Sequence, residues 1–156
     1  MTQPPFATIS ATPTYKLDNN SYIFLAGADI DGDGCGGNEE NDPDFQDTTT
    51  YKPDLNSRVV RGFVLPGVLM RAIPEVCIGC QGKVTHVLSG VTSQAVVYDE
   101  GPNTRIGEQS IALAAFFGID ANPVTGGTQQ PLFLYQFFPG VAAQVNGVTY
   151  QLQPMG

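Results

Sequence analysis

The sequence predicts a mostly-β single domain, a barrel carrying one short helix. Three observations point there. Gly and Pro are dense, 18 and 12 of 156 residues, which favours many short strands joined by turns. Apolar runs of five to nine residues recur along the whole chain and are bounded by turn formers. Only Glu108 to Phe117 carries a helical pattern, with Ile111, Leu113, Ala114 and Phe117 or Phe116 on one face and Gly118 as its stop. At 156 residues the chain is one ordinary domain, long enough to bury a core.

Residues 1–20 read as a flexible N-terminal arm, rich in Pro, Thr and Ser, and 21–156 as the single folded domain. "SYIFLAGA" (21–28) is apolar and β-prone, a buried strand. The segment from 36 to 54 is polar and full of turn residues, and loops of that length are commonly functional. "RVVRGFVLP" (58–66) is strand-like and ends at Pro66, and "VLMRAI" (68–73) fits a helical turn or more strand. "GKVTHVLSG" (82–90) and "TSQAVVYD" (92–99) alternate or run apolar, and pair around Gly90. "GPNTRIG" (101–107) and "ANPVTGGTQQP" (121–131) are loops, and "LFLYQFFP" (132–139) and "GVTYQLQ" (147–153) are late strands.

Charge narrows the partners. Fifteen acidic residues against seven basic ones leave a net charge of −8. Nucleic acid and anionic membrane surfaces both require a basic face, so neither is expected. A polycation would be attracted to an acidic cleft, although acidity also serves solubility alone. No apolar run is long enough to span a bilayer, and residues 1–15 show neither the basic nor the apolar region of a signal peptide. Cys77-Ile-Gly-Cys80 is a lone CxxC pair. Zinc would need two further ligands and His86 is the single His, so a local disulfide or two buried thiols is expected.

Two acidic stretches carry the candidate chemistry. In "DIDGDG" (29–34), Asp29, Asp31 and Asp33 alternate, and together with Gly34 and Glu40 they match the D-x-D-x-D-G-x5-E calcium-loop spacing. Both flanks read as strand and loop rather than helix, and Gly36 stands where an apolar residue belongs. A calcium site on Asp29, Asp31, Asp33 and Glu40, an acidic turn, and a cation-binding substrate cleft all remain open. In "YDEGPNTRIGEQS" (98–110), Asp99 ends an apolar strand and Glu108 opens the helix. Two such carboxylates facing one cleft are the minimum equipment for glycoside hydrolysis, and about 6.5–9.5 Å between them leaves room for an attacking water. Glu108 would equally complement the positive end of its helix.

The pairing of "ADIDGDG…NDPDFQDTT" with "AVVYDEGPNTRIGEQSIALAAFFGI" resembles the glycoside hydrolase family 75 chitosanases, and bacterial-type members most. The likeness rests on a D-x-G-P-x-x-x-I-G-E-x-S core, including Gly107, Glu108, Ser110, Leu113 and Ala114. "VLP" at 64–66 and "FPG" at 138–140 extend it over residues 22–142. Tyr98 and Glu100-Gly101 depart from the fungal pattern, as does Gly32, where fungal members carry Cys.

The resemblance implies a small six-stranded barrel, the double-psi type being one form of it, with the short helix following the catalytic loop. It implies a secreted, endo-acting and inverting hydrolase of chitosan; a monomer that needs no cofactor is expected. Asp99 and Glu108 would be its essential pair, with Glu108 as acid and Asp99 as base or the reverse. Asp29, Asp31, Asp33 and Asp44 would face glucosamine ammonium groups. Tyr98 or Tyr51 would stack on a sugar ring or pack in the core. The rival expectations are a non-catalytic carbohydrate-binding protein and a calcium-binding structural module.

Overall fold

The computed structural model describes residues 3–155. Its strands are β1 (Ala7–Ile9), β2 (Thr12–Lys16), β3 (Tyr22–Asp31), β4 (Gly62–Pro66), β5 (Cys80–His86), β6 (Thr92–Gly101), β7 (Glu108–Ser110), β8 (Thr128–Ala142), β9 (Gln144–Val145) and β10 (Val148–Thr149). Two short helices, α1 (Gly67–Arg71) and α2 (Ile111–Phe117), complete it. The order β3-β7-β4-β6-β5-β8 closes when β8 pairs back onto β3, giving a six-stranded barrel. Pairs β3–β7 and β4–β6 are parallel and the other four are antiparallel. Closure leaves no free edge on the barrel strands where they pair on both sides.

The barrel is filled by aromatic side chains. Tyr22, Phe24, Phe63, Phe133, Tyr135 and Phe137 are all buried. Phe24 stacks on Tyr135 at 4.7 Å, Tyr22 stacks on Phe137 at 5.3 Å, and Phe63 meets Tyr135 edge-on at 5.4 Å. Each such side chain contributes about 1.5–3 kcal/mol by leaving water. This packing follows from the alternation in "YIFLAGADID", whose inward positions are Tyr22, Phe24, Ala26 and Ala28.

Two sequence expectations change and two open ones are decided. The N-terminal arm is not loose: β1 and β2 form a hairpin, and β2 lies antiparallel on β3 with Thr14 opposite Phe24. Apolar Ile9 and Thr14 are buried there, which ties the hairpin down. The helix begins at Ile111, because Glu108–Ser110 is claimed as strand by both β3 and β4. Ser110 then caps α2, its hydroxyl accepting from Leu113 N at 3.2 Å, and Gly118 ends it in the left-handed conformation. The ambiguous 68–73 segment is a helical turn. Cys77 and Cys80 are buried free thiols, as is Cys35. Among the described residues no helix is long and apolar enough to cross a membrane.

Candidate active site

Val64 in β4 is the register partner of Glu108 on one side and of Asp99 on the other, and Glu108 is in turn the partner of Asp29. One row therefore crosses four strands: Asp29, Glu108, Val64, Asp99. Directly opposed residues share a face. The next residues, Gln109 and Phe63, point into the barrel, where Gln109 Nε2 donates to the Tyr135 hydroxyl at 3.0 Å. The row thus lies on the outer face.

Asp99 reaches that face through a bulge. The β4–β6 register steps from Phe63–Val97 to Val64–Asp99, leaving Tyr98 as an extra residue. Without it the period of two would turn Asp99 to the opposite face. Tyr98 itself is fully buried, and its hydroxyl donates to Asp31 Oδ2. It has no ring face to offer a ligand, so the expectation that it contacts sugar is corrected: it supports a carboxylate from behind. Tyr51 is likewise buried, edge-on to Tyr150.

The long loop after β3 folds back over the row. Thr50 clamps Asp99: its N–H and its hydroxyl each donate to Asp99 Oδ1 at 2.9 Å, and Glu100 N–H adds a third bond at 3.1 Å. Asp31 Oδ1 accepts from Asp33 N–H at 3.2 Å, and Asp33 Oδ1 accepts from Gln46 N–H at 2.9 Å. An oxygen from each of Asp31, Asp33 and Asp99 lies within 4.8 Å of the others.

Crowded carboxylates hold protons. Burial, then the charge of Asp31 and a hydrogen bond to Asp99, push Asp33 up to about 9. Burial pushes Asp31 up to about 6 against the bond from Tyr98. Burial also raises Asp99, while bonds from Asp33, Thr50 and Glu100 favour its charged form. Glu108 is pushed up to about 7, by burial first and then by Asp31, with Arg105 opposing. Two catalytic candidates thus sit in unlike surroundings: Asp99 under a fan of donors, Glu108 in a drier niche.

These groups line a cavity of about 480 Å³. Asp29, Asp31, Asp33, Asp44, Asp99 and Glu108 all border it, so six of the seven expected site residues come together and Tyr98 stands behind them. Asp44 is on the rim, 3.5 Å from Arg105, and Asp29 accepts from Gln129 at 3.3 Å. Glu40 lies outside the carboxylate trio and is bound by Arg58. Asp29 and Asp31 are strand residues rather than loop residues, so the twelve-residue calcium-loop arrangement does not form.

Thr50, Gly101 and Arg105 were not among the expected site residues. Thr50 is the last of three consecutive threonines, and nothing local distinguishes it. A Cβ at Gly101 would stand 2.6 Å from Glu108 Oε2, so this position must be glycine for the carboxyl to keep its place. Arg105 is the cation lining the pocket, and it lies within the motif that carries both carboxylates. No family model matches the chain and no curated protein matches it.

Proposed function

We propose that this chain is an endo-acting, inverting glycoside hydrolase that cuts β-1,4 glucosamine linkages of chitosan, with Glu108 as general acid and Asp99 as general base. The observation that carries the reading is the row in which Asp99 and Glu108 flank Val64. Adjacent strands lie about 4.8 Å apart, so the two backbone positions are separated by roughly 9–10 Å. Carboxyls leaning from such positions over one shared neighbour suit the roughly 6.5–9.5 Å spacing that admits a water beside the sugar. Val64 brings no charge and no hydrogen bond to the space between them.

The protonation pattern supports the roles. Glu108, held up at about 7, keeps its proton in weakly acidic solution and can deliver it to the leaving oxygen. Burial raises Asp99, and the three backbone and hydroxyl hydrogen bonds it accepts on Oδ1 oppose that rise, favouring the carboxylate that takes a proton from water. Asp33 is the neutral partner of Asp99 rather than a charge for substrate. The acidic lining and the net charge of −8 suit a cationic polymer, which the field would steer and align. A secreted, extracellular setting belongs to the same reading through the family resemblance, and a monomeric state is proposed with it.

The test is release of reducing ends from highly deacetylated chitosan by wild type, Glu108→Gln and Asp99→Asn, with folding followed by circular dichroism. The variants should lose at least about a hundredfold in rate, the scale of one acid–base group. NMR of the fresh product should show the inverted α anomer. A folded but inactive wild type would remove chitosan as substrate.

A calcium-binding module is the second reading, favoured by the gathered oxygens of Asp31, Asp33 and Asp99. It would show as a calcium-dependent rise in Tm that Asp31→Asn abolishes.

A further inference from the structure

The segment between β3 and β4, residues 32–61, contains neither helix nor strand, yet it carries the Thr50 clamp on Asp99. Such a segment is held in place only by the bonds it makes to its neighbours. On one side the neighbour is β6. Thr50 bonds Asp99, and Tyr51 N–H donates to the Tyr98 carbonyl at 3.0 Å. On the other side it is the C-terminal tail. Lys52 N–H donates to Gln153 Oε1 at 2.8 Å, while Gln153 Nε2 donates to the Lys52 carbonyl. Gln151 N–H donates to the Tyr51 hydroxyl at 3.0 Å. One side-chain amide thus matches both backbone groups of Lys52, as a neighbouring strand would.

The tail is itself well anchored. Leu152 and Met155 pack on the main core, and Gln153 N–H donates to the Ile78 carbonyl at 2.9 Å. The turn at 77–80 lies so close beneath that a Cβ at Gly79 would collide with the Gln151 carbonyl. That turn in turn holds β6, with Gly79 N–H donating to the Val97 carbonyl at 2.8 Å. The tail therefore bridges the strand that bears Asp99 and the segment that clamps it.

We infer that Gln153 is a positioning residue for the general base: by bracketing Lys52 it holds Thr50 against Asp99. The role of Asp99 as base rests on the hydrolase reading above; the bracket rests on its own hydrogen bonds. Without it, residues 50–52 keep only their bonds to β6. Thr50 then leaves Asp99 for part of the time, and the carboxylate loses two of its three donors with it. A displacement of about 1 Å in catalytic machinery costs about a hundredfold, so partial loosening should cost about tenfold. Gln153 does not line the carboxylate pocket, so the loss should fall on kcat rather than KM. Glutamate at this position would keep the acceptor for Lys52 N–H and lose the donor to its carbonyl.

The experiment measures kcat and KM on highly deacetylated chitosan for wild type, Gln153→Ala, Gln153→Glu, Asp99→Asn and the double variant Asp99→Asn/Gln153→Ala. Amide hydrogen exchange at Thr50 is followed by NMR in wild type and in both single Gln153 variants. Gln153 is half-buried at the surface, so its variants should fold, as circular dichroism would verify. Gln153→Ala should lower kcat about tenfold with KM within about twofold, and Gln153→Glu should fall between it and wild type. Gln153→Ala should have no further effect once Asp99 is Asn, because a group acting through the base has nothing left to act on. Thr50 exchange should quicken at least about tenfold, while the barrel amide of Val84 stays within about twofold.

An unchanged kcat in Gln153→Ala, or an equal loss with and without Asp99, overturns the positioning role and leaves the hydrolase standing. A wild type that does not cleave sinks the hydrolase, and Thr50 exchange then decides the bracket alone. Exchange that quickens at Thr50 and not at Val84 supports it; unchanged exchange, or equal quickening at both, overturns it.

Discussion

Replacing Glu108 by Gln should remove activity and, at the same time, make the protein more stable at alkaline pH. Burial moves this carboxyl from 4.5 to about 7. That gap of about 2.5 pH units corresponds to about 3.4 kcal/mol at 1.36 kcal/mol per unit. The folded state holds the proton more tightly than the unfolded chain does. Below about pH 4.5 both states are protonated and the group has no pH-dependent effect. As pH rises from about 4.5 to about 7 the unfolded chain ionises first, so wild-type stability falls, and above about 7 the full loss is reached.

Gln cannot ionise, so the variant escapes this loss. Its amide adds a pH-independent cost of about 1–2 kcal/mol where its polar atoms lack partners. The quantity to read is therefore the change in ΔΔG between about pH 4 and about pH 8.5, expected at about 2–3 kcal/mol in favour of the variant. Urea denaturation followed by circular dichroism suits a chain with no Trp, with reductant present for its three free thiols. Parallel stability curves for the two proteins across this range would refute the reasoning, since they would mean that Glu108 titrates as a solvated carboxylate.

Two further outcomes follow from the same geometry. Thr50→Val deletes the hydroxyl that donates to Asp99 and accepts from Glu100 N–H, at 2.9 and 3.0 Å. It should cost about tenfold in kcat/KM and move the acidic limb of the pH–rate profile upward, because Asp99 loses a bond that favours its charged form; an unmoved limb would argue against Asp99 as base. Gly101→Ala should leave the barrel folded by circular dichroism yet lower activity by about tenfold or more, as the new methyl meets both Glu108 Oε2 and, at 2.8 Å, Val64 Cγ1.

The helix shows how local pattern and tertiary pairing divide the work. Glu-Gln-Ser-Ile-Ala-Leu is good helical sequence, and the apolar face Ile111, Leu113 and Ala114 is buried as its spacing predicts. The first three residues nonetheless extend, because β3 and β4 both offer backbone partners there and Ser110 is the better cap. That displacement moves Glu108 from a helix end, where it would be solvated, to the centre of a carboxylate row. The N-terminal hairpin was hidden for a similar reason. Ser10-Ala11 carries none of the Gly or Asn that mark a tight hairpin, so only contact with β3 and the Thr104 carbonyl reveals it.

By itself the sequence determined a mostly-β domain with one capped helix of marked amphipathicity, an acidic surface, and two carboxylates bracketing a short loop. Those are properties of composition and of near-neighbour spacing, which act within a few residues. Only the tertiary structure decided that Tyr98 bulges out and turns Asp99 outward, that Thr50 crosses 49 positions to hold it, and that Glu108 lies dry enough to keep a proton near neutrality. Register, bulges and burial are set by partners distant in the chain, and a carboxyl's proton affinity depends on what surrounds it rather than on its place in a motif.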